Sequence, residues 1–383
     1  MADILMIPNE HFSYRVLSFT EFIEQYTTQY QALSEGEMPK ARLFELTLPW
    51  LIATEQFMLP ENSQVLVHCL YQKSEGQQPV LSIAWPLVHS TINNKSKWSQ
   101  PQIRSLSSFY SAVTEPIFFI TPDKQALQQL FSYIKHDHQW HSMQLGAFDE
   151  GIFSQALLEY FPYQRVFAKT DNIYQQGLTD YASYYQQRPS QLRNTIKRRQ
   201  KKLTKAQQYR IEIITEVSNF ASAFSAYKVI YQQSWKGDEF SFDFIEQVCL
   251  AALQENKLRF GLLFVDDEPA AAQLWFVQTS YNDSGQVQAT ASIFKLAYAP
   301  KYQMYSVGSI LSLALSEHVI SQDKVTSIEF GMGSEPYKQD WLAGKRTRQS
   351  YLIFNQHSIY GKLAIIRHLL LPWLIKPFKR KSK

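Results

Sequence analysis

The sequence predicts an α+β protein built as two successive domains, each a mixed, mostly antiparallel sheet flanked by helices. Three observations predict it. The apolar period switches repeatedly between the three-to-four spacing of helices and the alternation of strands. Polar turns separate the strand candidates, and the whole pattern restarts after Asn172. A chain of 383 residues is long for one ordinary domain, so two is the simplest division. Hydrophobic residues at 45% and aromatics at 14% supply enough apolar surface for packed cores and exclude a disordered chain. The expected boundaries are 1–172, 173–356 and a tail of 357–383.

In the first domain, the stretch from Ile4 to Leu33 carries a helical pattern at Phe19, Phe22, Ile23 and Tyr26. A second helix is expected from Leu48. Gln64 to Tyr71 and Val80 to Val88 are rich in branched and aromatic residues and read as strands around a polar turn. Ile103 to Phe109, Ile117 to Ile120 and Met143 to Ala147 are further strand candidates, with helices at Asp123 to His136 and Gly151 to Tyr160. No sharp catalytic signal sits here. His136, Asp137, His138 and His141 form a histidine cluster, but in a helix only His138 and His141 share a face, so a surface role is expected and no metal site.

The second domain opens with Tyr181 to Arg188 and a basic helix continuing to Gln207. Ile211 to Val217 is a strand; Phe220 to Trp235 and Phe242 to Leu253 are helices. Leu258 to Val265, Ala270 to Thr279 and Gln288 to Ala297 form a meander punctuated by polar turns. A helix from Val307 to Ile320, a strand from Ser327 to Phe330 and a last strand at Tyr351 to Phe354 complete it.

This order resembles the GNAT (Gcn5-related N-acetyltransferase) fold, which implies tandem GNAT-like domains. The finer resemblance is to the BioF2-like acetyltransferase branch, which includes proteins of polysaccharide and cellulose biosynthesis and is related to the FemAB transferases. It is carried by SQLRNTIKRRQKKL, by LLFVDDEPAAAQLWFV, and by KLAYAPKYQMYSVGSILSLALSEHVI followed by IEFGMGSEPYKQDW. These pieces span about Tyr181 to Phe354; the first domain matches by architecture alone. The family's helix usually opens with Pro-Gly or a comparable pair, whereas Val307 precedes Gly308 here.

The resemblance implies an acyl-CoA, most simply acetyl-CoA, as co-substrate. A pyrophosphate needs hydrogen-bond donors, and the first turn of a helix offers unpaired N–H groups at the positive end of its dipole. Ser306, Val307, Gly308 and Ser309 are placed for that role, with the plain alternative of an ordinary capped helix. An amine attacking a thioester must be deprotonated, and the departing thiolate wants a proton. Glu329, Glu335 and Asp340 are candidate bases or acceptor-binding groups, and Tyr337 is the candidate acid. Lys338 can meet phosphate or an acidic acceptor. Backbone N–H groups around Ser292 to Lys295 are candidates for holding the oxyanion.

Charge and composition bound the setting. Cys69 and Cys249 are the only cysteines and lie in apolar runs, which suits buried thiols and a reducing compartment. MADILMIPNEHF does not read as a secretory signal, and charged residues interrupt the best apolar stretch, so a cytoplasmic protein is expected. Nine basic residues and no acidic one lie between Arg188 and Arg210, and nothing after Asp340 is acidic. The basic helix suits an anionic partner such as nucleic acid, an aminoacyl-tRNA arm, lipid or sugar phosphate, or else a solvated linker. The tail combines an apolar face at Ile359, Leu363, Ile366, Leu369 and Leu370 with Trp373 and Lys379-Arg380-Lys381. That pairing suits attachment to an anionic inner-membrane surface, or a docked helix with a basic end.

The leading expectation is therefore an acyl-CoA-dependent N-acyltransferase acting on an amine of a sugar, lipid-linked or envelope precursor. The alternatives are a FemAB-like aminoacyl-tRNA-dependent transferase and a non-catalytic GNAT-like module binding at the membrane. Nucleic acid is not expected outside the tRNA alternative.

Overall fold

The computed structural model describes residues 11–35, 41–61, 63–73, 78–92, 100–136, 140–281 and 286–372. Numbered along the chain, its first elements are β1 (Phe12–Ser18), α1 (Phe19–Glu35), α2 (Leu48–Met58), β2 (Gln64–Gln72), β3 (Val80–Ile92), β4 (Gln100–Ser105), β5 (Ile117–Phe118), α3 (Lys124–His136), β6 (Ser142–Phe148) and α4 (Ile152–Tyr160). There follow β7 (Gln164–Gln176), α5 (Tyr181–Gln186), α6 (Ser190–Ala206), β8 (Tyr209–Ile214), α7 (Phe220–Gln233), α8 (Phe242–Gln254), β9 (Leu258–Val265), β10 (Glu268–Tyr281) and β11 (Val287–Tyr298). The last are α9 (Val307–Ser321), β12 (Ser327–Phe330), α10 (Pro336–Trp341), β13 (Gly344–Phe354) and α11 (Ile359–Ile365), which runs on into a π-helical turn at Ile366–Leu370.

The cut between the two units does not fall at one point along the chain. The first unit is 1–40, 59–170 and 347–383; the second is 41–58 and 171–346. Residues 41–58 belong with the second because Trp50 of α2 packs edge-on against Phe244 of α8 (5.1 Å) and Phe294 of β11 (5.3 Å).

In the first unit the strand order is β1-β2-β3-β4-β6-β13, antiparallel throughout except for the parallel pair β4/β6. Helices α3 and α4 cover it. Leu127, Leu130, Phe131, Phe153 and Leu157 pack with Trp85, Met143 and Leu145. β2 from Val67 to Tyr71 and β3 from Leu81 to Val88 are buried without a break, the pattern of strands covered on both faces.

The second unit repeats the plan as β8-β9-β10-β11-β12-β7, with β11/β12 as its parallel pair. On one face Trp275, Val277 and Ile293 pack with Ile310, Leu311 and Leu315 of α9. On the other, Phe276 meets Trp50. Gly261 of β9 lets α9 come this close, since a Cβ there would stand 2.8 Å from Leu315.

The α+β class and the mostly antiparallel sheets are as the sequence predicts. Four elements escaped the periodicity: β1, β7, the front of β13 and the short helix α10. Of the expected histidine cluster, the two described members take separate partners. His136 bonds the carbonyl of Ser132 at 2.7 Å and His141 meets the hydroxyl of Ser358, while Asp137 and His138 lie outside the described residues. Both cysteines are buried, and desolvation pushes each thiol up from its ordinary range.

Candidate active site

Strands β11 and β12 run side by side from Thr290/Ser327 to Ile293/Phe330 and then part. β12 ends there, whereas β11 continues to Tyr298, still paired with β10 on its other edge. At the point of parting the register of β10 and β11 slips. Leu274 faces Lys295 and Trp275 faces Ile293, so Phe294 is an extra residue. Such a bulge bends its strand and takes backbone out of the ladder. The gap thus has a wall of strand edge with no neighbouring strand. Ser292, just before the bulge, carries a buried hydroxyl oxygen with no hydrogen-bond partner among the described residues.

Helix α9 starts between these strands in the chain. Ser306 ahead of it takes a left-handed conformation (φ 55°, ψ 43°), and its side chain caps nothing. The N–H groups of Ser309 and Ile310 both close on the Ser306 carbonyl, at 3.0 and 3.1 Å. Those of Val307 and Gly308 have no carbonyl within the helix to bond. Val307 itself is buried in the core, so it contributes only backbone. A Cβ on Gly308 would stand 3.3 Å from the Tyr298 ring, tighter than ordinary packing allows without a shift. Four sequence-predicted residues are therefore contiguous at an amide-rich mouth, and the donor set fits a diphosphate.

The residues after β12 line up next. Lys338 is buried, pairs with Glu335 at 2.6 Å and donates to the Met332 carbonyl. Burial favours the protonated form of Glu335, but the hydrogen bond and charge of Lys338, with Lys236, outweigh it and hold the carboxyl below its usual range. Tyr337 packs edge-on to Phe330, with ring centroids 6.0 Å apart. Desolvation and the Glu335 charge push its phenol up to about 12, so it stays protonated at neutral pH. Asp340 is exposed.

Glu329 stands apart from this group. It precedes Phe330 in β12 and so faces the opposite side of the sheet. There its carboxylate is buried in an ion pair with Arg346. Arg346 also donates to the side-chain oxygen Oδ1 of Asn172 at 2.9 Å, and the Asn172 side-chain Nδ2 donates to the backbone carbonyls of Phe330 and Gly331. This geometry suits a brace that fixes the end of β12.

Sequence reasoning missed a second set of charges. Lys295, next to the bulge, forms a buried pair with Glu239 at 2.8 Å. Lys236 lies 5.7 Å from the Trp235 ring and 5.9 Å from that of Tyr231. Trp235 in turn packs against Tyr298 at 4.5 Å. A lysine within an apolar strand was the one available signal for this cluster.

The basic helix α6 reaches the approach to α9. Arg199 donates to the Met304 carbonyl, and the Lys202 ammonium lies 5.6 Å from the Tyr305 ring.

Residues 190–339 match the family model described as acetyltransferase (GNAT) domain. The crystal structure of FemX is similar in fold, with a TM-score of 0.56 at 10% identity over 86% of this chain and 96% of that one. A conserved protein of unknown function from Bacteroides thetaiotaomicron VPI-5482 gives 0.49 at 11% identity, covering 86% and 97%. A tandem GNAT protein from the clavulanic acid biosynthesis pathway gives 0.40 at 11% identity, covering 89% and 97%. At such identities the FemX likeness shows the fold alone, and the two lower scores carry no argument. No curated protein matches the chain.

Proposed function

We propose, from the premise that this chain is an acyltransferase with a GNAT domain at residues 190–339, that its donor is an acyl-CoA, most simply acetyl-CoA. Its acceptor is an amine of a sugar, lipid-linked or envelope precursor, in keeping with the BioF2-like resemblance. The single observation that carries the reading is the parting of β11 from β12 at a bulge, with the open mouth of α9 following in the chain.

In this reading the amides of Val307 and Gly308, flanked by Ser306 and Ser309, hold the diphosphate. The amine nitrogen attacks the thioester carbonyl carbon, and backbone N–H groups around Phe294 steady the oxyanion. The carbon–sulfur bond then breaks, the sulfur keeps its electron pair, and the Tyr337 phenol gives it a proton. The nitrogen releases one proton to Glu335, whose carboxylate Lys338 holds ionised and whose side chain is 57% exposed. The protons balance once Glu335 and Tyr337 exchange with solvent.

The C-terminal helix supports a membrane setting. Ile359, Leu363, Ile366 and Leu370 recur at helical spacing and are 75, 56, 47 and 50% exposed. Trp373 and Lys379 to Lys381 lie outside the described residues, but their sequence adds an aromatic and a basic run. An apolar stripe beside basic residues binds the surface of an anionic bilayer. Among the described residues no helix is long and apolar enough to cross a membrane. The protein then acts from the cytoplasmic face of the inner membrane.

One observation favours a second donor. The basic face of α6 beside the approach to α9 also suits the phosphates of an aminoacyl-tRNA. Calorimetry with acetyl-CoA and longer acyl-CoAs, beside a charged-tRNA binding assay, separates the two. Binding of CoA without affinity for tRNA is expected; tRNA binding without CoA binding overturns the first reading, and binding of neither overturns both.

A further inference from the structure

Three ammonium groups gather where β11 and β12 part, and the described residues give a carboxylate partner to only two of them. Lys295 has Glu239 at 2.8 Å, and Lys338 has Glu335 at 2.6 Å. Lys236 has neither carboxylate nor hydrogen bond for its ammonium among the described residues; it rests against the faces of Trp235 and Tyr231. Lys295 and Lys338 repel it, and Glu239 and Glu335, each already paired with one of those lysines, attract it more weakly than burial and the two ammonium groups oppose its charge. Three positive and two negative charges leave the cluster at +1. An arrangement of this kind is relieved by an anion that the described residues do not supply.

The position also says which substrate brings that anion. The mouth of α9 lies on the sheet face lined by Trp275 and Ile293. The bulge at Phe294 reverses the pattern beyond it. Lys295 pairs with Leu274, the residue whose side chain alternates away from Trp275, and so faces the side of α7 and α8. Glu239 and Lys236 both lie in the segment between α7 and α8. Lys295 and its partner Glu239 therefore stand on the side of the sheet away from the proposed diphosphate, and Lys236 is joined to them there by the Tyr231 ring, which lies 5.9 Å from its ammonium and 5.8 Å from that of Lys295.

We propose that Lys236 anchors an oxyanion, a phosphate or carboxylate, carried by the amine acceptor. The inference rests on the acyltransferase reading for the word acceptor, and on the charges alone for the anion. Lys236 is a positioning residue: it fixes the acceptor and takes no proton in the transfer. The groups facing it are Tyr231, Glu239, Lys295, Glu335 and Lys338.

The test uses the full chain and sulfate, whose charge is constant over the pH range needed. Calorimetry of CoA against the wild type comes first and tests the donor reading by itself. Sulfate is then titrated into the CoA-saturated protein. Lys236→Met should weaken sulfate binding about tenfold, Lys236→Arg should restore it, and CoA affinity should stay within about twofold in both. Desolvation, then Lys295 and Lys338, pull the Lys236 ammonium down to about 8. Wild-type sulfate affinity should thus be full below that pH and fall as pH rises through it, while Lys236→Arg keeps its affinity. Three results overturn the proposal: no sulfate binding to the loaded wild type, equal sulfate affinity in Lys236→Met, or a loss confined to CoA, which would assign the anion to the donor.

Discussion

The two units share a strand order but finish their central helices in opposite ways. In the first, Asp123 precedes α3 and accepts the Ala126 N–H at 2.6 Å, so a carboxylate fills the helix mouth. In the second, Ser306 precedes α9 in a left-handed conformation and caps nothing. The strand before each helix differs too. β3 and β4 pair without a slip from Leu87/Ser105 to Ile92/Gln100, whereas β10 and β11 slip at Phe294. A regular ladder and a capped helix are the stable solution, and the first unit adopts both. The second forgoes a cap worth about 1 kcal/mol and a run of regular pairing, and gains a gap with donors at its mouth.

The sharpest way to break this comparison is to ask whether the carboxylates in and just after the matching strands β12 and β6 are braces in both units. Glu329 pairs with Arg346, and Asp149 pairs with Arg348 at 2.9 Å, the latter side chain fully buried. Arg346→Met and Arg348→Met should each lower stability in urea by about 3–5 kcal/mol, because each strands a buried charge. Glu329→Gln should lower stability and leave the turnover of the folded fraction unchanged. If its turnover collapses while stability holds, Glu329 is chemistry after all and the two units are less alike.

Next in size is Tyr337→Phe. The change keeps the ring that packs on Phe330 and removes only the phenol proton. Steady-state kinetics should show kcat down by about a hundredfold, with CoA affinity and melting temperature unchanged. Unchanged kcat would mean that the leaving sulfur takes its proton from solvent. A smaller effect comes from making the mouth of α9 resemble that of α3. Gly308→Asp adds a Cβ against Tyr298 and a negative charge at the positive end of the dipole. Calorimetry should show CoA binding weakened by about thirtyfold, near 2 kcal/mol. Equal affinity would show that the diphosphate is held elsewhere.

How much of this was legible in the sequence follows from what holds each piece. The strands 64–72, 258–265 and 287–298 are held by side chains packed into a core, so branched and aromatic residues announced them. β7 and the front of β13 are held mainly by backbone pairing, and Gln164–Gln176 leaves most of its side chains at least partly exposed, so the period vanished. The helix at Val307 and the Tyr337-Lys338 pair were visible because chain order alone places them after the parallel strand and after β12. The Lys236, Glu239 and Lys295 cluster was not. Trp235 to Phe240 has no period to read, and Lys295 faces its cluster only because of a bulge that leaves no mark on composition. The placement of α2 in the second unit rests on Trp50 meeting Phe244, a contact between residues far apart in sequence.

The smallest prediction is the converse of the Gly308 change. Asp123→Ala removes the cap of α3, leaving the Ala126 N–H without its acceptor. Loss of such a cap costs about 1 kcal/mol, which a urea titration of the full chain resolves against the wild type. The same substitution takes a negative charge from the first unit's helix mouth, so it also asks whether charge alone keeps phosphate away. If the missing gap beside β4 is decisive, CoA should still bind with a stoichiometry of one and an unchanged affinity. A second equivalent of CoA would show that the carboxylate was the barrier and that the regular register of β3 and β4 excludes nothing.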